Sequence, residues 1–413
     1  MNGWPQLYIP EIPSSYSFPA LKLFNSESRT IETLPEKDTY RLYVCGITPY
    51  DATHLGHAAT YLTFDLIHRY LRATGARVIF VQNITDIDDP LLERATRDNV
   101  SWESLARSQI DLFRGDMSDL HVLPPDAYIG VVEAMDLIIN SVQTLVNQGK
   151  TYSVNGDIYF RVHSDSEFGS RSHLSDAEMM KIFSERGGDP LREGKEHPLD
   201  ALVWMAQKSG EPGWDSPFGK GRPGWHIECS AIALHYLKPA TNDEYSIDIQ
   251  GGGSDLIFPH HEMSASQSFS LTQQRFARSY VHTGMIGLQG EKMSKSLGNL
   301  VFVSSLISSG IEPVAIRWAL MNHPYSFDLM WEHSMIESAS REIDLLRECL
   351  SKVDVAPTQR VIEEIISGLS NNLDTPRVLE VIRQWIKDTN SGITGGHAGE
   401  LSRAIDTLLG LAL

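Results

Sequence analysis

Two short segments, far apart in the chain, have residue types suited to handling a nucleotide. His54-Leu55-Gly56-His57 follows an apolar stretch, and Lys292-Met293-Ser294-Lys295-Ser296 lies far downstream. Histidines at a helix start can donate hydrogen bonds to phosphate oxygens, and lysines on a loop can clamp a leaving pyrophosphate. Gly56 would let the backbone approach a nucleotide closely. Chemistry at phosphorus asks a protein mainly for positioning and charge stabilisation, so these residues are sufficient in kind. Singly, each segment reads more simply as a capping pair of histidines or an exposed basic loop. Their joint occurrence in this order favours a shared nucleotide site. A third set is Cys45, Cys229 and His260. Thiolate and imidazole suit Zn²⁺, and three protein ligands leave a fourth position open, one that could take a substrate thiolate and reject a hydroxyl. No CxxC pair accompanies them, so spacing alone favours ordinary core residues.

The elements that must position these groups are legible in part. Arg41–Cys45 reads as a buried strand, 46–56 as loop, and 58–73 as a helix by the spacing of Ala59, Leu62, Leu66 and Tyr70. Val78–Val81 is a second strand. Strand, helix and strand in this order form a right-handed parallel unit, the start of a doubly wound α/β sheet. His54 and His57 then fall near the N-terminus of the crossover helix, where backbone amides and the dipole favour anions. Residues 92–118 and 128–149 read as helical, and 157–162 as strand-like, followed by a polar stretch to about 198 without strong periodicity. Apolar strands resume at 201–204 and 245–249, with 280–282 the last, and the pattern beyond 325 is helical apart from a glycine-rich break at 392–399.

The 413 residues suffice for two or three domains around a full core. No secretory leader is visible at the N-terminus, and no apolar run approaches the roughly 20 residues needed to cross a bilayer, so a cytoplasmic enzyme with no membrane partner is expected. The formal net charge of −18 disfavours non-specific binding to nucleic acid. Three cysteines are too few and too scattered for a disulfide framework. Cys349, in an amphipathic pattern with Ile343, Leu346 and Leu350, reads as a core residue. Asp86, Asp88 and Asp89 suit Mg²⁺ or a solvated helix start equally well. His163, His173 and His197 read as surface residues, and His226 and His261 as hydrogen-bonding neighbours of the candidate ligands.

The paired segments at 54–57 and 292–296 resemble the HIGH and KMSKS motifs of class I aminoacyl-tRNA synthetases, enzymes that use ATP to form acyl-adenylates. Tyr43-Val44-Cys45-Gly46, Asn83-Ile84-Thr85-Asp86, the run Arg222–Ser230 and the run Gly251–Glu262 are similar to cysteinyl-tRNA synthetase over roughly residues 40–330. The resemblance implies a Rossmann-type doubly wound parallel sheet with an inserted connective domain and a C-terminal α-helical bundle. The expected division is an irregular lead-in at 1–38, a catalytic domain at 39–120 and 200–290, a connective insertion at 121–199, a KMSKS-loop region at 291–324 and a helical domain at 325–413. It implies catalytic roles for His54, His57, Lys292 and Lys295, with ATP held by these together with Gly56, Met293, Ser294 and Ser296. Cys45, Cys229 and His260 would bind one Zn²⁺. Cys45, Gly46, Thr48, Thr85, Trp225, Gly253, Ser254 and Asp255 would form the cysteine site, and Mg²⁺ would accompany ATP.

Three departures redirect the acceptor. Where the synthetase carries a fourth, carboxylate ligand, this chain has Ser264; where it usually ends its HIGH motif in Asn, this chain has His57. The stretch Gly46–Tyr61, with Lys295–Val303 and Leu373–Pro376, instead resembles the mycothiol-pathway ligases, which join cysteine to the amine of glucosaminyl-inositol. Residues 325–413, finally, carry 14 acidic against 8 basic side chains and no basic stripe with interleaved aromatics for reading an anticodon. The expected partners are L-cysteine, ATP and glucosaminyl-inositol, with no tRNA, and the expected state is a monomer. A compact cysteinyl-tRNA synthetase and a non-catalytic zinc- and thiol-binding regulator are the competing readings.

Overall fold

The computed structural model describes the whole chain except residues 239–242, 289 and 294–297 and the side chain of Lys292. The lead-in contains a hairpin of β1 (Lys22–Asn25) and β2 (Thr30–Thr33). It is therefore not wholly irregular. The chain then enters β3 (Thr39–Val44), crosses through α1 (Leu55–Ala73) and returns parallel in β4 (Arg77–Ile84). β3 and β4 are apolar on both faces, as a strand covered by helices above and below requires.

The segment read as one helix over 92–118 is two: α2 (Asp89–Asp98) and α3 (Trp102–Asp119). Asn99 ends α2 in the left-handed region at φ 52°, and the Ser101 hydroxyl accepts from the Ser104 amide to start α3. The helix expected from 128 begins later, because β5 (Ala127–Gly130) pairs parallel with β4 before α4 (Met135–Asn147). Residues 127–130 thus belong to the central sheet, inside the span expected to be insertion.

A four-stranded antiparallel sheet follows, built from β6 (Thr151–Val154), β7 (Asp157–Phe160), β8 (Ala201–Ala206) and β9 (Gly221–Pro223), with α5 (Asp176–Glu185) between the second and third. The apolar run at 201–204 therefore lies in this smaller sheet and does not resume the parallel one. That return is made by α6 (Trp225–Leu237), β10 (Tyr245–Gly253), α7 (Glu262–Thr272) and β11 (Arg275–Thr283). The central sheet is all parallel in the order β11-β10-β3-β4-β5. The order reverses beside β3, and such a switch point opens a crevice at the carboxyl ends of the strands.

β12 (Ile286–Leu288), β13 (Glu291–Lys292) and, after α8 (Val303–Ser308) and α9 (Pro313–Met321), β14 (Leu329–Trp331) form a small sheet under that crevice. Four helices close the chain: α10 (His333–Leu350), α11 (Gln359–Ser370), α12 (Thr375–Asn390) and α13 (Ala398–Leu409). Their apolar faces share one core with α1 and the sheet, while α4, α6, α7 and the smaller sheet share a second core on the opposite face. Cys349 is buried in the first of these. Among the described residues no helix is long and apolar enough to cross a membrane.

The joint between α1 and the terminal helices is ionic. Asp65 accepts from Arg69 Nε at 2.7 Å, from Arg317 Nη2, and from the Leu123 amide at 2.8 Å. The two guanidiniums also donate to the carbonyls of Asp406 and Leu409 at the end of α13 and to those of His121 and Leu120. Burial alone would raise the Asp65 carboxyl, but the two arginines hold it at about 2.

Candidate active site

Cys45 follows directly on β3, and its amide donates to the Gly251 carbonyl at 3.1 Å, so the ends of β3 and β10 are locked side by side. Two glycines let β4 and α1 close in on these strand ends. A Cβ on Gly46 would lie 1.6 Å from the Asn83 carbonyl oxygen, and one on Gly251 would lie 2.2 Å from the Phe64 ring. Cys229 sits one turn into α6, and His260 lies in the short irregular stretch between β10 and α7. The two sulfurs and a His260 nitrogen lie within 4.8 Å of one another, all buried. Two thiols and an imidazole converging in this way are the donor set that Zn²⁺ prefers, so the residues fit the ion the sequence implies.

The surroundings fix how these donors face. Trp225, one turn before Cys229 on α6, stacks on the His260 ring at 4.4 Å. His260 directs Nε2 at Cys229 Sγ (3.2 Å) and Nδ1 at His226 Nδ1 (3.0 Å). On the other side, His261 Nε2 is 3.2 Å from Cys45 Sγ, and its Nδ1 is 2.7 Å from His282 Nε2. His282 Nδ1 in turn meets the Ser26 hydroxyl at 2.8 Å. Burial holds His226 and His261 well below the usual histidine range and pushes His282 down to about 3. With neutral rings, Ser26, His282, His261 and the Cys45 sulfur form one continuous hydrogen-bonded relay in which every ring nitrogen has a partner. Ser264 does not reach into the cluster; its hydroxyl donates to the His226 carbonyl at 3.3 Å and joins α7 to α6.

A cavity of about 1120 Å³ opens above the cluster. Cys45, Gly46, Thr48, Trp225, Gly253 and Asp255 line it. Thr85 and Ser254 do not: Thr85 is buried behind the wall, where its hydroxyl accepts from Asn83 Nδ2 at 3.3 Å. His54, Gly56, His57 and Met293 line another part of the same cavity. His54 caps α1 with its own ring, Nδ1 accepting from the Gly56 and His57 amides at 3.1 and 3.4 Å. Those amides are therefore engaged by His54 and not held open for an anion, and the His54 ring proton is left on Nε2. His57 stacks on His54 at 3.8 Å, and burial together with this neighbour pushes it well below its usual range. His57 thus contributes hydrogen bonds more than positive charge.

Lys292 is placed only by its backbone in β13, and Ser294, Lys295 and Ser296 lie outside the described residues. Their flanks are fixed at the rim. The Met293 amide donates to Ile286 O at 3.2 Å, Leu55 donates to Val301 O at 2.9 Å, and Val303 donates to Thr53 O at 3.0 Å. The segment following the downstream motif is thus hydrogen-bonded to the segment carrying His54.

Of the three aspartates after β4, Asp86 accepts from the Val132 amide and serves the local structure, while Asp89 pairs with Arg222 and lines the cavity. Asp88 caps α2, lines the cavity, and is pushed by burial up to about 6. The far wall gave no sequence signal: Asn155, Asp157, Asp189, Arg192 and Lys208 come from the inserted sheet and the loops beside it. That stretch has no periodicity to signal it. His163 and His173 are exposed on the same insertion, as expected.

A parallel sheet with a switch-point crevice, a histidine pair at the crossover helix and a downstream segment tied to it define a class I aminoacyl-tRNA-synthetase-type catalytic domain. The family model described as tRNA synthetases class I (C) catalytic domain matches residues 31–341. Among solved structures, methionyl-tRNA synthetase of Mycobacterium tuberculosis in complex with methionyl-adenylate superposes with a TM-score of 0.65 at 16% identity, covering 91% of this chain and 89% of that one. The leucyl enzyme of Agrobacterium radiobacter gives 0.62 at 12% identity, covering 92% and 83%. Curated relatives are far nearer in sequence. L-cysteine:1D-myo-inositol 2-amino-2-deoxy-alpha-D-glucopyranoside ligases of Gordonia bronchialis and Streptomyces coelicolor are 49% and 48% identical over 100% of both chains. The chain belongs to this ligase family.

Proposed function

We propose that this enzyme joins L-cysteine to the amine of 1D-myo-inosityl 2-amino-2-deoxy-α-D-glucopyranoside in mycothiol biosynthesis, consuming ATP and releasing AMP and pyrophosphate. The observation that carries the reading is the convergence of Cys229 and His260 on Cys45, which lines the same cavity as His54 and His57. Cys45, the cavity-facing edge of a thiol-selective donor set, and the histidine pair at the start of α1 open onto one space.

In the first step a cysteine carboxylate oxygen attacks the α-phosphorus of ATP, and the bond to the bridging oxygen breaks to release pyrophosphate. His54 donates from Nε2, and with His57 it orients the phosphates. Lys292 and Lys295 balance the charge of the departing pyrophosphate. Trp225, Gly46 and Asp255 shape the cysteine end. Cys45, Cys229 and His260 would hold Zn²⁺, which supplies a thiolate-selective position that distinguishes cysteine from serine. In the second step the neutral amine of the acceptor attacks the acyl carbon, the bond to AMP breaks, and the nitrogen loses a proton.

The acceptor is a small molecule on this reading because the terminal helices are committed elsewhere. α13 ends on the guanidiniums of Arg69 and Arg317 and packs on α1. AMP release in the presence of cysteine and ATP tests the acceptor. Stimulation by glucosaminyl-inositol, and none by cysteine-accepting tRNA, is the expected result; the reverse would refute the reading.

A further inference from the structure

The cavity is larger than the roughly 300–1,000 Å³ that one drug-sized ligand occupies. Its nucleotide end is taken by His54, Gly56 and His57, and its cysteine end by Cys45, Gly46 and Trp225. The remaining wall comes from the inserted sheet and has no part in either assignment. Its centre is a charged pair, Asp189 and Arg192, with side chains 39% and 32% exposed to the cavity. Both are held from behind. Asp189 accepts from Tyr159 Oη and pairs with Lys195 Nζ at 3.0 Å, a lysine that is itself buried. Arg192 pairs with Asp157 at 2.6 Å, and Asp157 accepts from the Ala206 amide at 2.7 Å. Asn155 projects from the adjoining β6–β7 turn. The wall is also fixed to the cysteine end, because Arg186 donates to the carbonyls of Asp255 and Phe258, just before His260.

We infer that this wall is the binding site for the hydroxyl-rich part of the amino-sugar acceptor, with Asp189, Arg192 and Asn155 gripping sugar and inositol hydroxyls. The inference rests on the ligase reading above. A carboxylate accepts from hydroxyl protons, a guanidinium donates to hydroxyl oxygens, and an amide does both. Partners already locked in place lose little freedom when the ligand arrives. Asp157 and Asp189 are set against Arg186, Arg192 and Lys208 on this wall, so neither sign of charge dominates and recognition rests on hydrogen bonding. Bound here, the acceptor faces the cysteine end from across the cavity, with its amine free to reach the acyl carbon.

Steady-state AMP release with varied glucosaminyl-inositol tests this, with cysteine-dependent ATP–pyrophosphate exchange as the acceptor-independent control. Asp189→Asn and Arg192→Met should each raise the acceptor KM about tenfold, with the cysteine and ATP KM values of exchange unchanged. Asn155→Gly should raise it about threefold. Asn155 already lies at φ 53°, so glycine removes the amide without backbone strain and keeps the test open should the charged variants misfold. An acceptor KM within about twofold of wild type in Asn155→Gly and in whichever charged variants retain exchange would overturn the assignment, as would equal loss of exchange and ligation. Wild-type enzyme that performs exchange but ignores glucosaminyl-inositol would instead refute the ligase reading itself.

Discussion

Two buried clusters of strongly polar groups, one against α1 and one between β3, α6 and the stretch before α7, are built on opposite terms. At Asp65, Arg69 and Arg317 the guanidiniums are closed by the shared carboxylate and by carbonyls from α13 and the loop after α3. At Cys45, Cys229 and His260 the donors converge on one another, and Cys45 opens onto a cavity. A closed ionic network has nothing left to offer a ligand, and its removal costs stability. A convergent set of soft donors with a space above it is organised for something the chain does not itself supply. Burial and charge alone would not separate the two; the direction of the donors does.

That contrast breaks most sharply by substitution. Cys229→Ala should abolish stoichiometric zinc and lower cysteine-dependent exchange by roughly a thousandfold, the equivalent of about 4 kcal/mol of lost substrate binding, while the unfolding transition persists. Metal analysis beside exchange kinetics checks it, and full zinc content in the variant would remove Cys229 from the ligand set. Asp65→Ala should do the opposite. Stranding two buried guanidiniums costs about 3–5 kcal/mol of stability by urea unfolding, with the KM for cysteine unaltered in protein that remains folded.

These two clusters also show where the sequence was legible. The segments carrying Cys45, His54, Cys229 and His260 are long and locally distinctive, and all of them lie at the carboxyl ends of β3 and β10 or on α1, α6 and the turn into α7. The ionic joint left no such trace, because Asp65 and Arg317 are 252 positions apart and each is unremarkable alone. Tyr128 and Ile129 run straight into the apolar pattern of α4, so periodicity merged strand β5 with the helix. The run at 201–204 read correctly as strand, but its pattern could not say that its neighbours are antiparallel. The acceptor wall escaped for a similar reason: Asp157, Asp189 and Arg192 meet only once the insertion has folded.

Two weaker effects sharpen the comparison further. The folded-state carboxyl of Asp65 is depressed to about 2 from 3.8, so its contribution is present above pH 3.8 and is lost as the pH falls through about 2. The depression corresponds to roughly 2 kcal/mol. Unfolding free energy should therefore fall more steeply with acid in wild type than in Asp65→Asn between pH 5 and 2.5; parallel curves would mean that the carboxylate is not paired in solution. At the other cluster, His261→Gln should weaken zinc affinity about 10- to 100-fold by removing the donor to Cys45, as read by competition with a chromogenic chelator. Unchanged affinity would mean that the His261 contact is packing only.

The most direct test of the thiol-selective site is ATP–pyrophosphate exchange with cysteine and with serine, before and after zinc is removed by a chelator. Exchange with cysteine alone, lost on zinc removal and restored when zinc is returned, is the predicted result. Cysteine-dependent exchange that persists at full rate in protein verified to be free of zinc would contradict it.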